Sequence, residues 1–532
     1  MKIMNRIYSV VCLMSLLMIC GMNSGLEAAE WSHIRTIGEN VSFSPDVAVA
    51  KNGDAVSVFI HYDGSNQRVQ SSIRPFHKHW KTLSQFISPA GFNAENPRVA
   101  ISPDGNATSV WKIDSGFQFI VQAATLNFDK GTWSSAEDLT VPVDLVADPI
   151  IAVDSRGNSL AVWAIFDGIF YHIQSAVLKN SCHRRHGWKR LNDIIVDGAF
   201  GLDIAIDPKG NAVLAWEGRV GFKGVIQAAT LAKGSKSWLQ TADVSPSNQQ
   251  SEFPKVGVDR EGNAILVWDQ GISIHHIASA KLAFGSINWI NTSDPSDIAD
   301  RSVFPDLAVD PAGNAVAVWK TFIDPSTTNV EAATLAAGSF TWTPRVILTS
   351  SLLITDTEVV VDKQGNAVAI WSATGVLQSS SLPYGGSWSP PIDITPSTIG
   401  VGGQRIAMTP CAFAVVAYTA QVFASSQEIV QAVHSKGLFP PSPPSNLEGS
   451  TTKSRFLTQT EIVNKLTWDP SLDTCVKQYY IRRNSKLIGK VPAKGPYEFY
   501  DEKHNKMKDV YSLTAVKANG TESTALTITL PL

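Results

Sequence analysis

The chain is poor in the residues that usually carry chemistry or staple a fold. Of its 532 residues only 5 are Cys, 7 are Met and 11 are His, and charged residues make up 17%, below the roughly 25% of ordinary globular chains. Lys and Arg number 44 against 47 Asp and Glu, a net charge of −3. With no basic excess, general nucleic-acid binding is excluded. The 44% hydrophobic content equally excludes a disordered chain. Short catalytic signatures are missing: there is no Gly-x-Ser-x-Gly elbow, Walker loop, His-Glu-x-x-His pair or dinucleotide fingerprint. No catalytic residue and no cofactor is implied.

Long apolar runs are also missing, with one exception. Lys2 and Arg6 lead into a 14-residue apolar run, Ile7 to Cys20, followed by small and polar residues ending Leu26-Glu27-Ala28-Ala29. This pattern predicts a signal peptide over 1–29 and an exported protein, secreted, periplasmic or on the cell surface. The run is shorter than the roughly 20 residues of a spanning helix. A lipoprotein reading would use Leu17-Met18-Ile19-Cys20, but Ile19 is not small. No later stretch is long and apolar enough to span a bilayer. Three cysteines remain after the leader, Cys182, Cys411 and Cys475; they form no disulfide framework, although export permits a bond.

What the chain has instead is Trp, fifteen of them, and a period. Turn glycines stand at Gly53, Gly105, Gly157, Gly210, Gly262, Gly313 and Gly365, about 52 residues apart throughout. An eighth, degraded copy runs from Arg405 to Tyr418, with Cys411-Ala412 read in place of Gly-Asn. Each copy holds four strand-like pieces. The first alternates, as in Val47-Ala48-Val49, and leads through an Asp-containing turn (Asp154, Asp207, Asp259, Asp310, Asp362). The second ends on an aromatic: Phe59, Trp111, Trp163, Trp216, Trp268, Trp319, Trp371 or Tyr418. The third reads like Val121-Gln122-Ala123-Ala124. The fourth opens with Trp80, Trp133, Trp188, Trp238, Trp289, Trp342 or Trp388.

Four short strands per repeat without helical periodicity describe the blades of a β-propeller. The repeats resemble bacterial β-propeller repeat proteins, although the Kelch Gly-Gly pair occurs only at Gly385-Gly386 and Gly402-Gly403 and the Trp-Asp repeat dipeptide only at Trp268-Asp269. Trp31 reads as an orphan fourth strand, and Ser426 to Ser435 as an orphan third. Joining them predicts eight blades over 30–437, closed by the N-terminal strand; seven blades plus a stray unit is the alternative. Small residues in the first strands (Ala48, Ala100, Ala152, Ala205, Gly257, Ala308, Ala407) let neighbouring blades approach near the axis. The tryptophans are then packing residues that fill the widening space outside it.

After the proline-rich linker 438–444 the charge changes sign, from net −8 over 30–437 to net +4 over 438–532. Leu466-Thr467-Trp468, Tyr480-Ile481-Arg482 and Tyr511-Ser512-Leu513-Thr514-Ala515-Val516 resemble the strands of a fibronectin type III domain, here 445–532. That resemblance implies a β-sandwich used as spacer or adhesion module, with no catalysis.

Candidate site residues open each first strand: Asp46, Arg98, Ile150, Asp203, Lys255, Asp306, Glu358 and Arg405. Seven of the eight are charged, on a ring expected to face the axis. The expectation is a non-enzymatic binding or scaffold protein that recognises a protein or glycan through the propeller face, with Asp46, Arg98, Asp203, Lys255, Asp306, Glu358 and Arg405 at the channel rim. The alternative is a carbohydrate-active hydrolase or lyase using two rim carboxylates. Three histidine groups, His77/His79, Cys182/His183/His186 and His275/His276, lie in different repeats and should not converge, so no metal is expected.

Overall fold

The computed structural model describes residues 30–180, 187–397, 399–422, 427–456, 459–502 and 508–530. The leader and the Cys182/His183/His186 group lie outside the described residues. Every regular element among the described residues is a β-strand.

Residues 30–436 form eight antiparallel sheets of four or five strands. Their inner strands are Ser42–Val49, Asn93–Ile101, Ile150–Val153, Phe200–Ile206, Ser251–Val258, Arg301–Val309, Ile354–Val361 and Ile399–Met408. Each packs against the inner strand of the next sheet, and the last packs against the first. The array thus returns on itself, and the repeated sheets fit a β-propeller. The last sheet draws on both ends of the array: Trp31 pairs opposite Ser435 and Arg35 opposite Ala432. Pairing the two ends removes the open edge that a linear array would expose.

The repeat motif explains this geometry residue by residue. Gly313 turns the chain at φ 93°, a conformation that costs glycine little. Asp310 fixes that turn by accepting the backbone N–H of Ala312 and Asn314 at 2.8 and 2.9 Å. In the eighth copy the turn runs from Thr409 to Phe413, with Ala412 at φ 64°. Ala412-Phe413 therefore stands where Gly-Asn does elsewhere, a shift of one residue from the sequence reading. Near the axis space is short: a Cβ on Gly257 would come 2.4 Å from Val309 Cγ2.

The second-strand aromatics are fully buried, from Phe59 to Tyr418. Burying an indole also buries its N–H, which needs an acceptor. In four sheets the third strand supplies a Gln: Trp111 to Gln122, Trp163 to Gln174, Trp216 to Gln227 and Trp371 to Gln378, at 2.9 to 3.1 Å. Each Gln then donates to an Asp (Asp138, Asp193, Asp243 or Asp393). Fourth-strand tryptophans tie neighbouring sheets. Trp133 donates to Ser71, Trp238 to Ser175, Trp342 to Ser279 and Trp31 to Ser379.

Residues 445–530 form two further sheets. Ser445–Phe456, Gln459–Asp469 and Glu498–Asp501 make one; Lys486–Pro492, Val476–Arg483, Asp509–Lys517 and Leu526–Leu530 make the other. They enclose a core that includes Leu466, Trp468, Tyr479, Ile481 and Leu513. This unit is bonded to the repeat array. Cys411, in the last sheet's first turn, forms a disulfide with Cys475, so two of the cysteines that sequence left unpaired are joined. Asp473 accepts from Gln364 at 2.6 Å and pairs with buried Lys517 at 3.2 Å. His77 lies 3.0 Å from the Ala518 carbonyl oxygen.

Candidate functional site

The charged positions of the first strands hold equivalent register places. Seven of the eight inner strands shift register just before them. Two residues upstream of each charge the backbone takes positive φ, at Ser44, Asn96, Gly201, Phe253, Phe304, Asp356 and Gly403. These are bulges, which re-aim the side chains that follow. The strand opening at Ile150 has no such shift.

Four of the carboxylates then do the same thing. Asp46 accepts the backbone N–H of Val99 at 2.8 Å, Asp203 that of Val256 at 2.7 Å, Asp306 that of Val359 at 2.8 Å, and Glu358 that of Ile406 at 2.9 Å. Each carboxylate latches its own inner strand to the next. The cations are interleaved with them: Arg405 lies 2.5 Å from Glu358, and Lys255 lies 3.8 Å from Asp306. Burial acts to lower Lys255, but Asp203, Asp306 and Glu358 together hold its ammonium above the ordinary lysine range. Burial pushes the Asp203 and Glu358 carboxyls up against those same cations. Asp203, Lys255, Asp306, Glu358 and Arg405 thus interact across five sheets, with Asp46 adding to the field at Arg405. Arg98 holds the equivalent place opposite Val110 and is half-buried.

Antiparallel order gives the array two ends. One carries the Gly-Asn turns and the third-to-fourth connections, and there the C-terminal unit is bonded through Cys411, Gln364 and His77. The opposite end carries the second-to-third hairpins. Its tips are apolar in four successive sheets: Phe117 is 93% exposed, Ile169 76%, Phe222 fully exposed and Ile272 67%. Three of these follow a glycine at φ 63° to 99°, and Ile272 follows Gly271, so each tip is a tight turn that projects a large apolar group into water. Singly scattered apolar surface is ordinary; here it recurs at the same place in four successive hairpins.

Between the tips lie groups that sequence reasoning missed. Tyr171 meets Phe166 at 4.9 Å and Phe200 at 5.2 Å, and Phe253 meets Phe304 at 4.6 Å between ring centroids. Arg219 lies over Phe200 and Lys320 over Phe304. Glu217 follows the buried Trp216; burial raises its carboxyl to about 7, Arg219 at 3.0 Å opposes this, and Glu252 adds to it. Asp269 follows Trp268, is raised by burial to about 6, and bonds His275 at 2.5 Å. The signal was present: an acid follows the second-strand Trp in only these two repeats, and Gly followed by Phe or Ile sits in hairpins where polar residues are usual. His276 pairs with Asp294 at 3.4 Å, while His77 is at the opposite end. His77 and the His275/His276 pair are therefore not brought together, and no cluster of metal-ligating residues occurs among the described residues.

No family model and no curated protein matches the chain. Among solved structures it is similar to a protein of unknown function from Dyadobacter fermentans, at 12% identity over 77% of this chain and all of that one, with a TM-score of 0.39. The GH93 α-L-arabinofuranosidase of Fusarium graminearum is similar at 11% identity, over 65% of this chain and 95% of its own, with a TM-score of 0.39. The NanB sialidase of Streptococcus pneumoniae is similar at 10% identity, over 76% and 94%, with a TM-score of 0.38. These likenesses concern fold alone.

Proposed function

We propose that this chain is an exported, non-enzymatic binding protein: an eight-bladed β-propeller over 30–437, followed after the linker 438–444 by a fibronectin type III-like sandwich. The propeller recognises a protein or glycan through its hairpin face, with Asp46, Arg98, Asp203, Lys255, Asp306, Glu358 and Arg405 at the centre. The observation that carries this reading is the arc of exposed tips Phe117, Ile169, Phe222 and Ile272, on the end opposite the sandwich. Eight sheets in cyclic contact support the blade count. The strand orders of the two C-terminal sheets support the sandwich assignment. The leader and the disulfide support export, because structural disulfides persist in oxidising compartments.

The channel-rim carboxylates do not favour catalysis, since each is spent on a neighbouring strand. A second reading, a carbohydrate-active hydrolase, draws on a different acid. Glu217, held protonated to about 7 beside Glu252, has the character of a general acid. One experiment separates the two. The full chain and a variant with Phe117, Ile169, Phe222 and Ile272 changed to Ser are compared on a glycan array and a panel of surface proteins. Retention lost in the variant, without product release, supports recognition; product release that Glu217→Gln abolishes supports the hydrolase.

A further inference from the structure

Each bulged inner strand carries, near the hairpin end, one residue with left-handed backbone. In five of the strands that place holds Ser44, Asn96, Gly201, Asp356 or Gly403, residues with no side chain or a short polar one that bonds locally. In the adjacent strands Ser251–Val258 and Arg301–Val309 it holds Phe253 and Phe304, both at φ 53°. A bulky side chain is strained in that conformation, and strain of this kind collects at ligand clamps. The two rings also stay wet. They lean on each other, 4.6 Å apart between centroids, yet each is 41% exposed. Two neighbouring strands thus combine strained backbone with aromatic surface left in water, and contact between the rings does not consume that surface.

The surroundings narrow what can cover the rings. On one side the equivalent place is Gly201, which brings no side chain next to Pro254; a Cβ there would come 3.6 Å from Pro254 Cδ. On the other side stands exposed Asp356, whose Oδ2 accepts the Gly403 N–H at 3.0 Å and whose Oδ1 remains an acceptor. Lys320, half-buried on the second strand Ala315–Asp324, holds its Nζ 4.5 Å from the centre of the Phe304 ring. Burial lowers its ammonium, and among the described residues Asp356 is the acid that opposes this. Around Phe304 there is therefore an apolar platform, a donor and an acceptor, with charges that cancel. The ring below adds no cation excess, because Asp46, Asp203, Asp306 and Glu358 stand against Arg98, Lys255 and Arg405.

We propose that Phe253 and Phe304 form a subsite for a neutral pyranose ring, its C–H face laid on the exposed aromatic surface and its hydroxyls shared between Lys320 and Asp356. The assignment rests on the reading of the hairpin face as a recognition surface, and it names the ligand class. A sugar hydroxyl both donates and accepts, so it suits the ammonium and the carboxylate together. An apolar peptide side chain would cover the rings but strip water from the ammonium without replacing it. An anionic sugar would meet the acid excess of the ring below. An aromatic surface with a few placed polar groups is the usual make-up of a small-ligand site.

The test places the full chain on an array of neutral, uronic-acid and sialylated oligosaccharides beside a panel of surface proteins. Calorimetry then reads the affinity of the best-retained neutral oligosaccharide. Neutral hexose glycans are expected to be retained. Phe253→Asn with Phe304→Asn lowers the affinity about tenfold or more, two aromatic contacts being lost. The chain stays folded, because Asn96 already takes φ 46° in the equivalent place. Lys320→Met, which keeps both rings, weakens binding several-fold. Affinity unchanged by the two Asn substitutions overturns the subsite; if the four tip substitutions still abolish retention, the hairpin face remains the recognition surface. Preference for uronic or sialylated glycans also overturns it. Surface proteins retained with no glycan would overturn the ligand class and leave recognition standing, and retention of neither would remove both. Should the double variant not fold, the two single variants and Lys320→Met decide: each is several-fold weaker, and unchanged affinity in all three overturns the proposal.

Discussion

Substituting Asp306 separates a structural ring from a chemical one. Its Oδ2 accepts the Val359 N–H at 2.8 Å, and Lys255 lies 3.8 Å from its Oδ1. A hydrogen bond to a charged group contributes about 1.5–3 kcal/mol, and a partly exposed ion pair adds at most about 1. Lys255 keeps Asp203 as a second partner, so the ion-pair loss lies at the low end. Asp306→Ala is therefore expected to cost about 2–3 kcal/mol. Asp306→Asn, whose amide oxygen can still accept from Val359, should cost about half of that. Urea unfolding followed by tryptophan fluorescence reads the difference as a lowered midpoint at unchanged slope. Asp46→Ala and Glu358→Ala should follow the same order, each with its own N–H, Val99 and Ile406. An Asp306→Ala midpoint equal to that of the unaltered protein would refute the latch, as would an Asn variant as unstable as the Ala one.

Glu217 gives a pH signature. Its folded pKa of about 7 lies above the ordinary 4.5, so the folded state binds the extra proton between those values. Stability is therefore full below about pH 4.5 and falls as pH rises through 7, by on the order of 3 kcal/mol; Glu217→Gln should flatten that fall in a pH series of unfolding midpoints. Removing the disulfide with Cys411→Ser and Cys475→Ser opens a 64-residue loop, worth up to about 4 kcal/mol. The sandwich should then detach first, read as faster proteolysis in the linker 438–444. Gln174→Met leaves the indole N–H of Trp163 buried without its acceptor and removes the Gln174 donor from Asp193 Oδ2. A loss of about 1–3 kcal/mol by thermal unfolding is expected, against little change for an exposed Gln such as Gln240.

Much of the architecture was legible because the repeat writes the same physical problem eight times. Glycine at a positive-φ turn, a small residue near the axis and an aromatic further out each answer a local constraint, so their spacing reads directly as sheets. The pairing of Trp31 with the last third strand followed from counting unpaired strands. What sequence left out depends on long-range placement. Cys411 and Cys475 are 64 residues apart, and nothing local says that a blade turn meets the sandwich. The rim charges were visible as a ring, but their engagement with the next strand's N–H depends on bulges created by positive φ at residues as different as Phe253 and Gly403. The hairpin tips were legible in principle. Ser115-Gly116-Phe117 and Val220-Gly221-Phe222 put an aromatic where turn chemistry favours polar groups, and the eye drawn to charge passes over them.

The central claim, recognition through the hairpin face without catalysis, is tested most directly by retention and product release on one glycan and surface-protein array. The account predicts retention by the full chain, no released product, and retention lost when Phe117, Ile169, Phe222 and Ile272 become Ser with the unfolding midpoint unchanged. Released sugar product, or retention undiminished by those four substitutions, would contradict it.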